Sequence, residues 1–203
     1  MPTEHLSIHI DTATVSTSFS TLNAFGSFCG NLVVADGTAT DSYVPFYGYM
    51  TDGAQHNQLL YTEDLLTGLV GSDIEAIAFY PTALGSKEMN HWTVSLGTTA
   101  ATSLSSLAST TGFVTVTNDA SFARENGCFV LHFTTPYHYE GGNLLIDMDH
   151  QAGNWESHQF YGISKAGASY TYNAARSFLP KTAFTVACPV TEMVASVAER
   201  TSD

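Results

Sequence analysis

Residues 143–151 read NLLIDMDHQ, and polar and apolar side chains alternate along this stretch. Leucine, isoleucine and methionine fall on one face of an extended chain, and Asp147 and Asp149 fall on the other, because successive side chains of a strand point in opposite directions. This period of two is typical of a half-buried β-strand. The apolar face is expected to fill a core, which leaves both carboxylates on the opposite face.

Further short strands are predicted along the chain, separated by clusters of Gly, Asn, Pro and Thr. They are HLSIHI, NLVVADGTAT (a strand that ends in the Asp36-Gly37 turn), YVPFYGYM, IEAIAFYP, WTVSLG, FVTVTN, CFVLHFTTP, SHQFYGIS and FLPKTAFTV. The stretch TDGAQHNQ, directly after YVPFYGYM, is expected to be a loop. One segment, LLYTEDLLTGL, predicts a short helix, with Thr62 as its N-cap and two acids in its first turn. The pattern predicts an all-β fold, an antiparallel jelly-roll-like β-sandwich with one short helix. Parallel βαβ units are excluded because the helices they need are missing.

The aromatic stretch YVPFYGYMTD occupies residues 43–52. Read as a strand, it separates a face with hydroxyl groups from a purely apolar face: Tyr43, Pro45, Tyr47 and Tyr49 against Val44, Phe46, Gly48 and Met50. The apolar face is expected to pack between the sheets. For Tyr47 and Tyr49 two interpretations stay open, a structural role at a sheet edge and an exposed face that stacks on sugars.

Composition excludes several classes of partner. The 203 residues are 44% hydrophobic and only 12% charged, and 19 acids against 6 bases give a net charge of −13. A phosphate backbone needs a basic surface, so a nucleic-acid partner is excluded, and an anionic membrane surface is disfavoured. No apolar run reaches the length of a spanning helix, so membrane insertion is not expected, and the N-terminus shows no secretory signal pattern.

The acidic pair Asp147 and Asp149 allows three interpretations. Both carboxylates suit a solvated surface, they are oxygen ligands of the kind that Ca²⁺ takes, and their spacing overlaps that of glycosidase carboxyl groups. A structural calcium ion is therefore a candidate cofactor, and no other cofactor is expected. The three cysteines, Cys29, Cys128 and Cys188, have no zinc-ligand spacing. A Cys29 to Cys128 bridge and buried free thiols are the two alternatives.

The loop HQAGNWESHQF, residues 150–160, is the main candidate for ligand binding. Trp155 can stack on a sugar ring, and Asn154, Glu156 and His158 can supply hydrogen bonds. Loops at the end of a rigid sandwich commonly carry binding residues. The alternative is that Trp155 folds back and caps the core.

Seven fragments, taken together and in order, resemble a known type of module: GTATDSYVPFYGY, QLLYTEDL, IEAIAFYP, WTVSLG, FTTPYHYEGGNLLI, FYGIS and RSFLPKTAFT. They are similar to a β-sandwich module of large secreted surface proteins of Bacteroidetes-type bacteria, related to cleaved-adhesin and MAM-like domains. The resemblance covers roughly residues 32–186 and implies a secreted or cell-surface location. Asp147 and Asp149 are not part of the shared pattern, which weakens a catalytic role for them.

The resemblance also implies a domain organisation. Such modules commonly precede fibronectin type III-like repeats, and CPVTEMVASV resembles the opening strand of such a repeat. We expect residues 1–30 to form an N-terminal strand segment packed on the sandwich, residues 31–187 to form the module, and residues 188–203 to be a linker or the start of a following domain. The expected form is a monomer within a larger multidomain chain.

The expected function is that of a non-catalytic, adhesin-like binding module that recognises a glycan or a host surface protein. One alternative is a glycoside hydrolase that uses carboxylates among Asp147, Asp149, Glu140 and Glu156. The other is a structural spacer, because the same sandwich serves unrelated functions in different proteins.

Overall fold

The computed structural model describes residues 30–187, which form eleven antiparallel strands. In chain order they are β1 Gly30–Val34, β2 Ala39–Asp41, β3 Gln55–Tyr61, β4 Ser72–Phe79, β5 Met89–Thr99, β6 Val114–Glu125, β7 Cys128–Tyr139, β8 Asn143–His150, β9 Phe160–Thr171, β10 Ala174–Pro180 and β11 Thr182–Val186. Three 3-10 helices of three residues each lie between strands: Gly48–Met50, Glu63–Leu65 and Thr67–Leu69. The all-β prediction is confirmed. No helix in the described range is long and apolar enough to cross a membrane.

The strands form one curled sheet with two leaves. Its order is β1-β11-β4-β7-β6-β5-β8-β3-β9-β10, and β2 also pairs with β9. The long strand β6 joins the leaves, because Val114–Phe122 pairs with β5 while Ala123–Glu125 pairs with β7. We call β1, β11, β4 and β7 the first leaf, and β5, β8, β3, β9, β10 and β2 the second leaf.

Large rings from the two leaves meet in a shared core. Tyr61 of β3 packs edge-on against Phe184 of β11, with ring centroids 5.3 Å apart. Phe129 of β7 and Phe160 of β9 lie 6.0 Å apart. All four side chains are fully buried. The two leaves therefore face each other as in a sandwich, and the apolar face of each strand points between them.

Strand β8 follows the predicted alternation. Ile146 and Met148 are fully buried in the core, whereas Asp149 is exposed on the outer face of the second leaf. The outer residue Leu145 is also buried, because the connection between β5 and β6 folds over it and brings Leu104 into contact. The second leaf is therefore partly covered on its outer face.

The prediction of one short helix over LLYTEDLLTGL, residues 59–69, is wrong. Its first three residues, Leu59–Tyr61, belong to β3, and the remainder forms two separate 3-10 helices. Thr62 makes no capping hydrogen bond; its Oγ1 instead accepts a bond of 2.8 Å from Lys165 Nζ. The connection to β4 has too few residues to offset the free energy needed to form the first turn of an α-helix.

The predicted strand over residues 43–50 is also wrong, although its inside and outside residues are mostly as expected. Asp41 Oδ1 accepts hydrogen bonds from the backbone amides of Tyr43 and Val44, at 2.6 and 3.0 Å, and this ends β2 in a turn. The chain then continues through bends into the 3-10 helix Gly48–Met50. Pro45 is buried rather than grouped with the tyrosines.

Two further corrections concern the strands themselves. The stretch TDGAQHNQ was expected as a loop, but Gln55–Tyr61 is the central strand β3. Its buried Gln58 bonds both backbone polar groups of Ala108, so a polar residue is accommodated within the sheet. FLPKTAFTV was expected as one strand, but the chain changes leaf at Lys181, between β10 and β11.

Several expectations lie outside the described residues. These are the N-terminal strand HLSIHI, Cys29 and Cys188, and the tail over residues 188–203. Cys128 carries a buried free thiol, as the second of the two cysteine alternatives predicts.

The hydroxyl of Tyr61 provides a test of the contact between the leaves. It lies 2.7 Å from Thr182 Oγ1, which itself donates to Pro180 O at 3.0 Å, so the tyrosine is the donor. We expect Tyr61→Phe to lower the free energy of unfolding by about 1 kcal/mol, the typical net value of one buried hydrogen bond. Chemical denaturation measures this. The matched control Tyr161→Phe removes the hydroxyl of an exposed tyrosine and should change almost nothing; equal effects would contradict the assignment.

Candidate functional site

Five aromatic side chains form a continuous surface that we call the aromatic strip: Tyr43, Tyr47, Tyr49, Trp155 and Tyr172. Tyr43 and Tyr47 are stacked with centroids 4.4 Å apart, and Tyr172 lies 5.0 Å from Tyr47. Tyr49 lies 6.0 Å from Tyr47 and meets Trp155 edge-on at 5.2 Å. Tyr49, Trp155 and Tyr172 are 51%, 52% and 40% exposed. Large rings in mutual contact therefore reach solvent together.

Residues 43–49, which carry three of these tyrosines, are anchored by buried side chains and by Gln55. Val44 and Phe46 are fully buried in the core, and the tyrosines alternate with them on the solvent side. The side chain of Gln55 binds both backbone groups of Tyr47, accepting from its amide at 3.1 Å and donating to its carbonyl at 2.8 Å. The amide side chain thus replaces the strand partner that this segment lacks.

Trp155 is placed by contacts between its loop and the turn at Gly48–Met50. The amide of Glu156 donates to Gly48 O at 3.1 Å, and the amide of Gly153 donates to Thr51 O at 2.9 Å. A Cβ at position 48 would lie 2.4 Å from Glu156 O, so only glycine permits this approach. Trp155 is consequently held beside Tyr49.

The carboxylate of Glu156 holds two loops together and is not a ligand-binding group of the aromatic strip. Its carboxylate accepts hydrogen bonds from the backbone amides of Ser86, at 2.9 and 2.8 Å, and Lys87, at 2.8 Å. Burial by itself raises the pKa of Glu156, but these amides, together with His158 and Arg124, lower it overall. The side chain fastens the connection between β4 and β5 to the loop that carries Trp155.

His158 is buried, with only 1% of its side chain exposed. Its Nδ1 lies 3.3 Å from Ala83 O and donates to it, and its ring packs edge-on against Phe129. Burial lowers the pKa of His158, although the Ala83 carbonyl and Glu156 oppose the shift. The imidazole therefore stays neutral at pH 7 and does not reach the aromatic strip.

Asp147 and Asp149 lie on the outer face of the second leaf, as predicted. Asp147 Oδ1 accepts hydrogen bonds from His56 Nε2 at 2.7 Å and from Gln58 Nε2 at 2.8 Å. The hydrogen bond to Asp147 raises the pKa of His56 against the opposing effect of burial. Within residues 30–187 no three His, Cys, Asp or Glu side chains are grouped so that they could hold a metal ion.

The predicted ligand-binding residues divide into two groups. The structure brings Tyr47, Tyr49 and Trp155 together, and the backbone carbonyl of Asn154 lies 2.6 Å from Thr51 Oγ1. Glu156 and His158 instead hold neighbouring loops. The alternation of the sequence puts Tyr43 on the same face as Tyr47 and Tyr49 but predicts no ligand role for it. The sequence gives no signal for Tyr172, or for Arg176, whose guanidinium carbon lies 4.0 Å from the centroid of the Tyr43 ring. Only the fold brings the hairpin between β9 and β10 beside this segment.

A separate shallow pocket of about 290 Å³ lies on the outer face of the first leaf. Small side chains such as Ala78 and Ala183 form part of its lining, and the thiol of Cys128 lies at one side. Burial raises the pKa of Cys128, against the opposing effects of Tyr80 and Lys181. The thiol is therefore a poor nucleophile at neutral pH.

No protein-family model matches this chain, and neither a curated protein nor a solved structure matches it. The fold and the strip define the class of protein only in structural terms, as an all-β sandwich with an exposed aromatic surface. The resemblance to secreted surface modules is left as a prediction.

The histidines give a test that depends on pH. An ordinary histidine has a pKa of 6.5, and burial lowers the pKa of His158 and of His150. Below pH 6.5 the unfolded chain therefore binds protons that the folded chain does not, and these two groups reduce stability as the pH falls. His56 acts in the opposite direction because its pKa is raised.

We expect His158→Gln to reduce the loss of unfolding free energy between pH 7 and pH 5, measured by denaturant titration at several pH values. His56→Gln should increase that loss, because it removes a group that stabilises the fold at low pH. A pH dependence that both substitutions leave unchanged would contradict the burial of His158 in its neutral form.

Proposed function

We propose that this protein is a non-catalytic binding module that recognises a glycan through the aromatic strip. The observation that carries the proposal is the run of five rings in contact, three of them at least 40% exposed. Tyrosine and tryptophan present an apolar face and a polar atom together, which suits sugar rings with both C–H faces and hydroxyl groups. A secreted or cell-surface location belongs to the same proposal.

The alternatives draw less support. A glycoside hydrolase needs two available carboxyl groups that flank its substrate, but Asp147 already accepts bonds from His56 and Gln58, and Glu156 is held by backbone amides. The other two candidates, Glu140 and Asp149, are separated by most of the length of β8. A purely structural spacer has no need of a connected exposed strip, since large apolar surface patches commonly mark interaction sites. A host protein as ligand is the remaining alternative, and the binding test separates it.

Backbone strain in the strip favours a binding role. Tyr172 and Asn173 form the two-residue turn between β9 and β10, with φ values of +47° and +56°. Asn and Gly suit such a turn, whereas a bulky aromatic residue rarely adopts a positive φ. A strained residue that adds an exposed ring to a continuous surface is typical of a functional position.

Removal of single rings tests the proposal. On a glycan array run with calcium and again with a chelator, we expect Trp155→Ala and Tyr47→Ala to weaken retention roughly two- to tenfold, since one aromatic contact contributes about 0.5–1.5 kcal/mol. Tyr161→Ala is the control, because Tyr161 is exposed but makes no ring contact with the strip among the described residues. Retention that survives both substitutions contradicts the assignment, and an array without any retained glycan favours a protein ligand.

Tyr172→Asn separates stability from binding. The substitution reduces the strain of the positive φ, which costs about 1 kcal/mol or more for a bulky residue and less for Asn, and it loses a tilted ring contact of similar size with Tyr47. We therefore expect an almost unchanged melting temperature together with weaker glycan retention. Asn173→Gly relaxes the same turn without touching a ring and should retain glycans normally. A clear drop in melting temperature with intact retention would assign Tyr172 a structural role.

A further inference from the structure

A cation lies at the Tyr43 end of the aromatic strip. The guanidinium carbon of Arg176, on β10, is 4.0 Å from the centroid of the Tyr43 ring. Its Nε donates to Thr171 O at 3.3 Å, so the contact with the ring and this bond together orient the group. Arginine combines stacking on an aromatic ring with planar, forked hydrogen bonding to carboxylates. Arg176 is therefore positioned to take part in whatever the strip binds.

Within residues 30–187, Arg176 is the cation that lies over a ring of the aromatic strip. The sequence has 6 basic residues against 19 acidic ones, so carboxylates are abundant. Lys181 pairs with Asp36 at 2.6 Å, and Arg124 donates to the Leu84 carbonyl. Arg176, like Arg124, Lys87 and Lys165, is in no ion pair with any residue of the range 30–187. Among these four it is the one whose charged group lies over a ring of the aromatic strip. Its positive charge is left available to an anion from outside that range.

We propose that Arg176 and Tyr43 form a subsite for the carboxylate of an acidic sugar. The guanidinium donates hydrogen bonds to the carboxylate, and the sugar ring continues along Tyr47 and its neighbours. The contact with Tyr43 orders the arginine before binding, which reduces the entropy lost on association. This inference rests on the proposed glycan-binding function and adds the chemical class of one sugar to it.

The charge of the whole protein narrows the ligand further. A densely charged polymer needs a broad basic surface, but the net charge here is −13, and among residues 30–187 one cation, Arg176, lies over a ring of the strip. Repulsion at longer range is screened beyond about 8–10 Å in physiological salt, so a single local carboxylate is tolerated. The ligand is therefore a mostly neutral glycan with an isolated uronic or nonulosonic acid, rather than a sulfated polyanion.

The test uses matched pairs of immobilised oligosaccharides that differ only in a single carboxylate-bearing sugar, with heparin as the polyanion. We expect the carboxylated member of a pair to be retained about tenfold better or more, the size expected for charge-assisted hydrogen bonds. Arg176→Gln and Arg176→Lys should both lower the ratio of carboxylated to neutral glycan retained towards one. Glutamine lacks the charge, and lysine lacks the planar, forked group of hydrogen-bond donors. Chemical reduction of the carboxyl group of the retained glycan to an alcohol should likewise remove the preference that the unsubstituted protein shows for it.

Lys181→Gln is the matched control, because Lys181 also lies over a tyrosine ring, 4.5 Å from the Tyr80 centroid, but is paired with Asp36. It should keep the preference. Equal retention of neutral and carboxylated partners overturns the acidic subsite while the glycan-binding function stands, and so does a preference that survives Arg176→Gln. Stronger retention of heparin than of the singly carboxylated glycans overturns the subsite as described. A protein that retains no glycan at all overturns the proposed function, and the subsite with it.

Discussion

The burial of Phe46 is the constraint on which both the core and the candidate site depend. Its ring contacts Trp92 at 4.7 Å, Phe160 at 5.1 Å and Phe122 at 5.7 Å, so it touches strands on the second leaf and the strand that joins the leaves. The same short segment carries Tyr47 directly after it. A residue that is fixed in a packed interior fixes its neighbours in the chain, because protein cores allow little displacement. Tyr47 and its neighbours in the chain are therefore held in place by the core.

Polar side chains also fix the irregular segments around Phe46, because they bind backbone groups that a neighbouring strand would bind in a regular sheet. Asp41 turns the chain out of β2, and Gln55 binds the backbone of Tyr47 in both directions. On the neighbouring loop the carboxylate of Glu156 gathers backbone amides that would otherwise lack protein partners. Backbone groups outside a regular sheet lack strand partners, and side chains bind several of them in these segments. Two acidic residues, Asp41 and Glu156, thus hold irregular segments in place.

How far the sequence predicted the structure depends on where each side chain finds its partner. Asp147 and Met148 alternate within one strand, and local alternation was enough to predict β8. The sequence predicts a loop at Gln55 and Gln58 because polar residues rarely occupy a central strand. Gln55 finds its partner eight residues earlier, in the irregular segment at Tyr47, and Gln58 finds its partner fifty residues later, at Ala108. Glu156 looked like a surface ligand for the same reason, since the amides that bind it lie about seventy residues earlier. The pairing of Tyr172 with Tyr47 depends wholly on the fold.

The shape of the strip bears on the strength of the proposed binding. A surface of exposed rings buries only one side of a sugar chain, unlike a cleft that encloses a ligand and removes most of its surface from water. Part of the gain from each contact is lost to the ordering of a flexible chain. Binding in the millimolar range corresponds to only about 4 kcal/mol, which a few ring contacts and one charge-assisted bond supply. Strong attachment through such a strip requires several sites on one polysaccharide or several modules on one surface, because linked sites multiply weak affinities through their effective concentration.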